Sequence, residues 1–189
     1  MTDSVAARRR LSTAELVYIA VCAALTAVCS WISVPAIPPL PPFTLQTFAV
    51  FLVLLLIGGR RGFFAVLTYV LLGAVGLPVF AHFTGGVGIL LGTTGGYIIG
   101  FVFSALLYWM AEPFLADRPA RRLAALLAAL LVCYAFGTAW FMAVYARQSG
   151  AVGLGTALGW CVFPFVIPDL VKLALAWGLS ATLRRHVRL

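Results

Sequence analysis

Asp169 and Lys172 are the two residues of this sequence whose chemistry most needs an explanation. They lie in the strongly apolar run 161–183, which has the length of a membrane span, and Lys172 is the only lysine in the chain. A charged side chain near the centre of a bilayer costs about 2.5–3.5 kcal/mol on insertion scales. Three positions apart on a helix, the two side chains share a face and can pair. They either line a polar pocket for a ligand or satisfy only each other and fix the helix against its neighbours.

The composition indicates an integral membrane protein. Of the 189 residues, 63% are hydrophobic and only 10% are charged, whereas soluble domains average about 45–50% and about 25%. The net charge of +8 does not indicate a nucleic-acid partner. The basic residues stand in small groups at the ends of apolar runs, which is the pattern that orients a protein in a membrane. We therefore predict one transmembrane domain over residues 1–189, in contact with lipid and not with nucleic acid.

The apolar runs predict an all-α fold of six transmembrane helices. Their predicted ranges are 14–33, 44–57, 63–76, 95–111, 123–145 and 164–183. Residues 1–13 are expected to form a disordered cytoplasmic tail. With six spans, eleven arginines fall on one side of the membrane and only Arg147 falls on the other. The positive-inside rule then places both termini in the cytoplasm.

The connections between these helices differ in character. Prolines throughout 35–42 exclude a helix and predict a stiff external loop. A tight cytoplasmic turn is predicted at 58–62, a cytoplasmic loop at 112–122 and a glycine-rich external connection at 148–159. The stretch 77–94 is too apolar for a solvated loop. We expect it to be non-helical and to fold back into the outer part of the bundle, where protein covers its backbone.

Small residues recur every fourth position on two of the predicted helices, a spacing that lets another helix approach closely. On the fourth helix they are Gly92, Gly96, Gly100 and Ser104. On the first helix they form two pairs, Ala20 with Ala24 and Ala23 with Ala27. Either alanine pair could form a face that docks a partner, although alanine is also common in membrane helices for no such reason.

The polar features of the chain converge on the external side. In the predicted topology Asp169 lies roughly 8 Å and Lys172 roughly 12 Å below the outer end of the last helix, at 1.5 Å rise per residue. We therefore expect a pocket that opens outward. Further polar candidates for its lining are Thr44, Gln46 and His82, and the aromatic candidates for its walls are Trp31, Phe43, Phe80, Phe83, Tyr97 and Trp160.

Motifs for catalysis, for a metal and for nucleotide binding are missing from the sequence. There is no paired-carboxylate arrangement, no Gly-x-Ser-x-Gly elbow and no His-Glu-x-x-His. The four cysteines form no Cys-x-x-Cys motif and are expected to be small packing residues. The glycine-rich stretch lacks the Lys-Ser/Thr ending of a phosphate loop. We expect a protein that is not an enzyme and that has no metal or cofactor of its own.

Three motifs follow one another along the chain: FTLQT at 43–47, LPVFAHFTGGVGILLGTTGGYIIGF at 77–101 and PDLVK at 168–172. In this order they resemble the BioY family, the biotin-specific substrate-binding components of energy-coupling factor (ECF) transporters. The similarity covers residues 14–183. It implies the six-helix fold of an ECF substrate-binding (S) component, with biotin bound near the outer face, in the cell membrane of a bacterium or archaeon.

The resemblance also implies partners and residue roles. The partners are a transmembrane coupling protein, docked on the alanine face of the first helix, and two ABC-type ATPases that hydrolyse ATP. Asp169 is expected to accept from the ureido ring of biotin and Lys172 to donate to a ligand oxygen. The remaining polar contacts are assigned to His82, Gln46 and Thr44, and the aromatic side chains, Phe80 and Tyr97 among them, are expected to cover the thioether ring.

Two alternative functions remain open at this point. One keeps the architecture and replaces biotin by a different vitamin. The other is a non-transporting membrane scaffold, in which the pair of Asp169 and Lys172 is purely structural. An intramembrane hydrolase is disfavoured because the sequence carries no nucleophile motif.

Overall fold

The computed structural model describes residues 12–35, 40–115 and 118–184. Within these ranges the fold is almost wholly helical, as predicted. The helices are α1 (Thr13–Trp31), α2 (Gln46–Ala74), α3 (Val87–Leu91), α4 (Gly95–Leu115), α5 (Pro119–Ser149), α6 (Leu154–Cys161) and α7 (Phe163–Leu183). Two short strands, β1 (Ser33–Val34) and β2 (Phe43–Thr44), pair antiparallel. The predicted tail, except for its last two residues, and the middle of the proline-rich loop lie outside the described residues.

Five helices of the described part are long and apolar enough to cross a membrane. They are α1, α2, α4, α5 and α7. The helices α3 and α6 have 5 and 8 residues, far fewer than the roughly 20 that a full crossing needs. The protein is therefore a multi-pass membrane protein with two short helices in its connections.

The helix α2 is a hairpin rather than one straight rod. Its backbone is helical except at Gly58, which has φ 82° and ψ 172°. A Cβ built on Gly62 would lie 3.3 Å from the Cα of Leu54, eight residues earlier. In a straight helix, two such residues are about 12 Å apart. Farther along the two arms, the amide of Gln46 donates to the hydroxyl of Tyr69 at 2.5 Å. The arms 46–57 and 59–74 therefore run antiparallel and correspond to the second and third predicted helices.

The apex of this hairpin is capped by charges from two other helices. Glu112 of α4 accepts from the N–H of Gly59 at 2.9 Å, and Arg184 at the end of α7 donates from Nε to the carbonyl of Leu55 at 2.7 Å. Helix ends leave backbone groups without intrahelical partners. The carboxylate of Glu112 lies at the N-terminus of the second arm, and the guanidinium of Arg184 lies at the C-terminus of the first arm. Each charge is therefore opposite in sign to the helix dipole at that end.

The first helix begins at the same end of the molecule. Ser12 and Glu15 form a capping box, in which each side chain accepts from the backbone N–H of the other residue, at 3.2 and 2.8 Å. This arrangement satisfies two N–H groups at the start of the helix. Glu15 also pairs with Arg61 at 2.7 Å, which ties the start of α1 to the start of the second arm of α2.

The helices α4 and α5 pack closely through the predicted small residues. A Cβ on Gly96 would overlap the side chain of Trp140, and one on Gly100 would lie 3.2 Å from a side chain of α5. One turn further, Ser104 donates to the carbonyl of Ala129 at 2.6 Å. The prediction that this stripe allows close helix packing is confirmed.

Several predicted boundaries were wrong because helices run farther than the apolar runs do. Most of the predicted loop 112–122 is helical, since α4 continues to Leu115 and α5 begins at Pro119. Proline is favourable at a first helical position, where no N–H partner is needed. The connection 148–159 contains most of α6, and 77–94 contains α3 and a 3₁₀ turn, Ala81–Phe83. Local helical bonds satisfy the backbone of these apolar segments.

We predict that Gly58→Ala destabilises the protein by about 1–3 kcal/mol, because almost only glycine adopts the backbone conformation at this position. The added Cβ would also lie 2.8 Å from Oε1 of Glu112. The measurement is the midpoint of thermal unfolding in detergent. The control is Gly178→Ala in α7, where nothing lies within 4 Å, so its midpoint should stay or rise. Equal midpoints for the two variants would contradict the hairpin geometry.

Candidate functional site

A partly open cavity of about 390 Å³ lies between α2, α4, α5, α7 and the segment after α2. Sites for small molecules commonly have volumes of about 300–1,000 Å³ and mostly apolar walls with a few polar groups. The apolar part of the wall includes Ile98, Phe101, Leu130, Cys133, Cys161 and Phe165. Its size and lining fit a small, largely apolar molecule with a few polar atoms.

Seven of the eleven residues that the sequence suggested for a pocket line this one cavity: Thr44, Gln46, Phe80, His82, Tyr97, Asp169 and Lys172. The prediction was wrong for four aromatic wall candidates, which are not among the lining residues: Trp31, Phe43, Phe83 and Trp160. Five parts of the chain supply the seven lining residues: the strand β2, the helices α2, α4 and α7, and the segment 80–84. The fold therefore assembles residues from positions 44 to 172 around a single space.

The central polar feature of the cavity is a cluster on its wall, in which two buried charged residues meet a half-buried tyrosine. Lys172 donates to Oδ1 of Asp169 at 2.8 Å, and the hydroxyl of Tyr134 donates to Oδ2 at 2.6 Å. Asp169 is 3% exposed and Lys172 is 9% exposed. The predicted pairing of the two charges is confirmed. A buried charge needs a partner and hydrogen bonds, and this cluster supplies both while its members also line the cavity.

The cluster still has hydrogen-bonding capacity after these internal bonds. A carboxylate offers about four lone-pair sites, an ammonium has three donors, and a tyrosine hydroxyl can accept as well as donate. Asp169 uses one site on each oxygen, and Lys172 uses one donor in the contacts described above. The cluster can therefore present acceptors and donors to the same ligand.

The local structure of α7 brings the cluster to the cavity. Pro168 stands inside the helix directly before Asp169. Proline has no N–H, so the carbonyl of Pro164 four residues earlier loses its helical partner at this level. Phe165 stacks on Phe43 of β2 with ring centroids 4.3 Å apart. This contact joins the start of α7 to the strand that leads into α2.

The polar groups at the start of α2 are held in place by each other. Thr44 donates from Oγ1 to Oε1 of Gln46 at 2.9 Å, and the amide nitrogen of Gln46 donates to Tyr69. Gln46 is buried. Its side chain is therefore oriented on both ends before any ligand arrives, which reduces the entropy that binding would cost.

The segment 80–84 forms another part of the wall. Phe80 is 1% exposed and fits against Gly73, where any Cβ would overlap its ring. His82 and Phe83 both have positive φ, 58° and 57°, which is rare for residues other than glycine. The Nδ1 of His82 lies 3.2 Å from the hydroxyl of Ser33. The loop is thus tied to the β1 strand and anchored in the core by one aromatic ring.

The two alanine pairs of α1 separate in the structure. Ala23 and Ala27 are buried and belong to a core cluster with Tyr69 and Phe80. They pack inside the chain itself, so the second suggested docking pair is not available to a partner. Ala20 and Ala24 are exposed, and only this pair remains as a possible docking face.

Sequence reasoning missed Tyr134, which holds the second oxygen of Asp169. It lies in the middle of the long apolar helix α5. A buried tyrosine hydroxyl usually finds a hydrogen-bond partner, and this expectation was the available signal. No cluster of His, Cys, Asp or Glu that could hold a metal occurs in the described ranges 12–35, 40–115 and 118–184.

The fold and the cavity define a helical, multi-pass membrane protein with a partly open space of small-molecule size. The sequence model of the BioY family matches residues 2–189. The "Biotin transporter BioY" of Thermotoga maritima is 39% identical over 174 residues, 90% of this chain and 96% of that protein. The "Probable biotin transporter BioY" of Pyrococcus horikoshii is 39% identical over 122 residues, 65% of this chain and 67% of that protein.

A solved structure is similar to this one over most of its length. It is described as the S-component for biotin from an ECF-type ABC transporter, and it matches with a TM-score of 0.78 over 90% of both chains. Its sequence identity is 24%, so the likeness concerns the fold. The sequence matches show that the chain belongs to the BioY family, and the similar fold agrees with them.

We predict that Asp169→Asn destabilises the protein by about 3–5 kcal/mol, because it leaves the buried Lys172 without its counter-charge. Replacing both members, as Asp169→Leu with Lys172→Met, should recover most of that loss, since well-packed apolar residues often substitute for a buried ion pair. Thermal unfolding in detergent measures both effects.

The matched control for this pair of variants is Ser104→Ala. It also removes a buried polar group, but one outside the cavity, and it should cost only about 1 kcal/mol. A single variant Asp169→Asn that unfolds at the wild-type temperature would contradict the burial of the charge pair.

Proposed function

We propose that this protein binds biotin and acts in its uptake across the cell membrane, as the substrate-specific component of an ECF-type transporter. The cluster of Asp169, Lys172 and Tyr134 on the wall of the cavity is the observation that carries this proposal. The names of the relatives and the fold of the S-component for biotin support it.

The hydrogen-bonding pattern of the cluster complements that of biotin. The ureido ring has two N–H donors and one carbonyl acceptor. Asp169 can accept from the ring, and the oxygen of Tyr134 offers a further acceptor. Lys172 can donate to the carbonyl or to another ligand oxygen. Such charge-assisted bonds are about twice as strong as neutral ones, and burial removes the competing water.

The remaining cavity residues fit the rest of the ligand. Phe80 and Tyr97 place aromatic surface on the wall, which suits the thioether ring and its apolar chain. Gln46, Thr44 and His82 are the candidates for the other polar contacts. His82 is exposed and lies on the loop 80–84, which suits contact with the carboxylate end of the ligand.

The topology that goes with this function has six crossings, with α2 counted as two. Its arms have 12 and 16 residues, about 18 and 24 Å long at 1.5 Å per residue. Both are shorter than the hydrocarbon core of about 30 Å. Arg61 contacts the start of α1, and Arg184 contacts the apex of α2, so these two arginines lie at one end of the bundle. By the positive-inside rule we infer that this end, where α1 begins and α7 ends, faces the cytoplasm.

The proposed role is binding rather than catalysis, and the energy for uptake comes from partners. The sequence has no phosphate loop, and the solved structure of similar fold is described as a component of an ECF-type ABC transporter. We therefore assign ATP hydrolysis to two ABC-type ATPases that act through a transmembrane coupling protein. The exposed pair Ala20 and Ala24 on α1 offers the close-packing surface that a helix of the coupling protein needs.

A scaffold function is the second candidate, and one observation favours it. Both oxygens of Asp169 already have partners within the protein, so the cluster can be read as fully structural. The two functions predict different effects of replacing both charges. If the cluster binds the ligand, the double variant loses ligand binding; if the cluster is only structural, a stable double variant keeps it.

We predict that purified wild-type protein binds biotin and that Asp169→Leu with Lys172→Met abolishes this binding while remaining folded. Biotin at 100 times its Kd should stabilise the wild type by about 2.7 kcal/mol. Titration calorimetry and thermal unfolding with and without biotin measure affinity and stability on the same samples.

In the same series, Ser104→Ala should keep the wild-type affinity for biotin, because the residue lies outside the cavity. A folded double variant that still binds biotin like the wild type would favour the scaffold reading of the cluster. A wild type that binds a different vitamin and not biotin would overturn the substrate assignment.

We predict that Ala20→Leu with Ala24→Leu weakens co-purification with the coupling protein but leaves biotin affinity unchanged. The added side chains keep helices apart at a face that does not reach the cavity. Ala143→Leu, an equally exposed position on α5, is the control. Loss of co-purification in both variants would show a general effect of bulk and contradict a docking face on α1.

A further inference from the structure

We propose that an anionic phospholipid binds in a second, external groove between α4 and α5. The groove has a volume of about 520 Å³ and is separate from the cavity described above. Its walls are apolar: Phe103, Leu107, Met110 and Phe114 on α4, and Val132 and Phe136 on α5. Neither the transport function nor the biotin site requires this surface, so the inference is independent of both.

The length of the groove matches one leaflet of a membrane. From Phe103 to Phe114 it follows α4 for eleven residue-to-residue steps, or about 16 Å at 1.5 Å rise per residue. One half of a hydrocarbon core of about 30 Å is about 15 Å. Met110 and Phe114, toward one end, are 68% and 76% exposed. An acyl chain that lay in the groove would span its own leaflet and cover these side chains.

Basic side chains stand at the end where a lipid headgroup would lie. Arg121 donates from Nη1 to the carbonyl of Phe114 at 3.3 Å, so its guanidinium sits beside the last residue of the groove. Arg118 is the residue directly before α5, and both arginines are exposed. The carboxylate of Glu112 is turned to Gly59 of α2. A phosphate at this end would meet guanidinium donors and the positive end of the long helix α5.

The lining distinguishes a lipid chain from a partner helix. Helices that dock in membranes use small residues at four-residue spacing, which let backbones approach. The groove instead presents bulky Phe, Leu, Met and Val side chains, with Ala111 the small exception. A flexible acyl chain can follow such a surface, and the arginines select a negative headgroup. The occupant is therefore an anionic phospholipid and not a second copy of this chain.

Native mass spectrometry tests the proposal on the full chain. The protein is released from micelles doped with phosphatidylglycerol or with phosphatidylcholine of the same acyl chains. The wild type should retain phosphatidylglycerol with an affinity at least ten-fold higher. Each basic residue near a membrane surface contributes about five-fold in affinity for anionic lipid, so Arg118→Gln with Arg121→Gln should remove most of the preference. Arg147→Gln, in the last turn of α5, is the matched control and should retain it.

A second variant tests the groove itself. Met110→Trp adds volume at an exposed position and should lower retention of both lipids, while biotin binding stays as in the wild type. Glycerol 3-phosphate, which has the headgroup charge but no chain, should not bind. Four outcomes would each overturn the proposal. The first two are equal retention of the two lipids and binding of glycerol 3-phosphate as tight as that of the lipid. The other two are undiminished retention in either variant and a lipid-free dimer.

Discussion

The carboxylate of Asp169 is the group on which the interior of this protein depends. It receives hydrogen bonds from Lys172 one turn along α7 and from Tyr134 on α5. In an apolar surrounding an unpaired carboxylate costs several kcal/mol, so these contacts stabilise the charge and link α7 to α5 through side chains. The cavity lies against this contact. One electrostatic requirement thus links two walls of the cavity and sets the polar character of the binding space.

Close approach of backbones is the second requirement, and glycines meet it at particular points. Gly96 lets α4 lie against Trp140, and Gly73 leaves room for the ring of Phe80. The first contact brings Tyr97 to the cavity, and the second sets the loop that carries His82. Membrane helices gain little from burying apolar surface against one another. Close van der Waals packing at these glycines therefore contributes much of the stability of the cavity walls.

The sequence predicted what depends on local spacing. The pair of Asp169 and Lys172, the small-residue stripe of α4 and the two arms around Gly58 all follow from positions a few residues apart. Tyr134 could not be found this way, because its contact joins residues 35 positions apart and one hydroxyl in an apolar helix does not name its partner. The ends of α4 and α5 were missed because prolines and charges near 112–122 are typical of a loop but are also compatible with helix ends.

The capped apex of α2 has a consequence for how the chain is made. The carbonyl of Leu55 finds its guanidinium partner 129 residues later, at Arg184. During synthesis the two arms of α2 enter the membrane long before that arginine has left the ribosome. The hairpin therefore completes its hydrogen bonding only when the last helix is inserted, and a truncated chain ending before α7 would carry an unfinished bend.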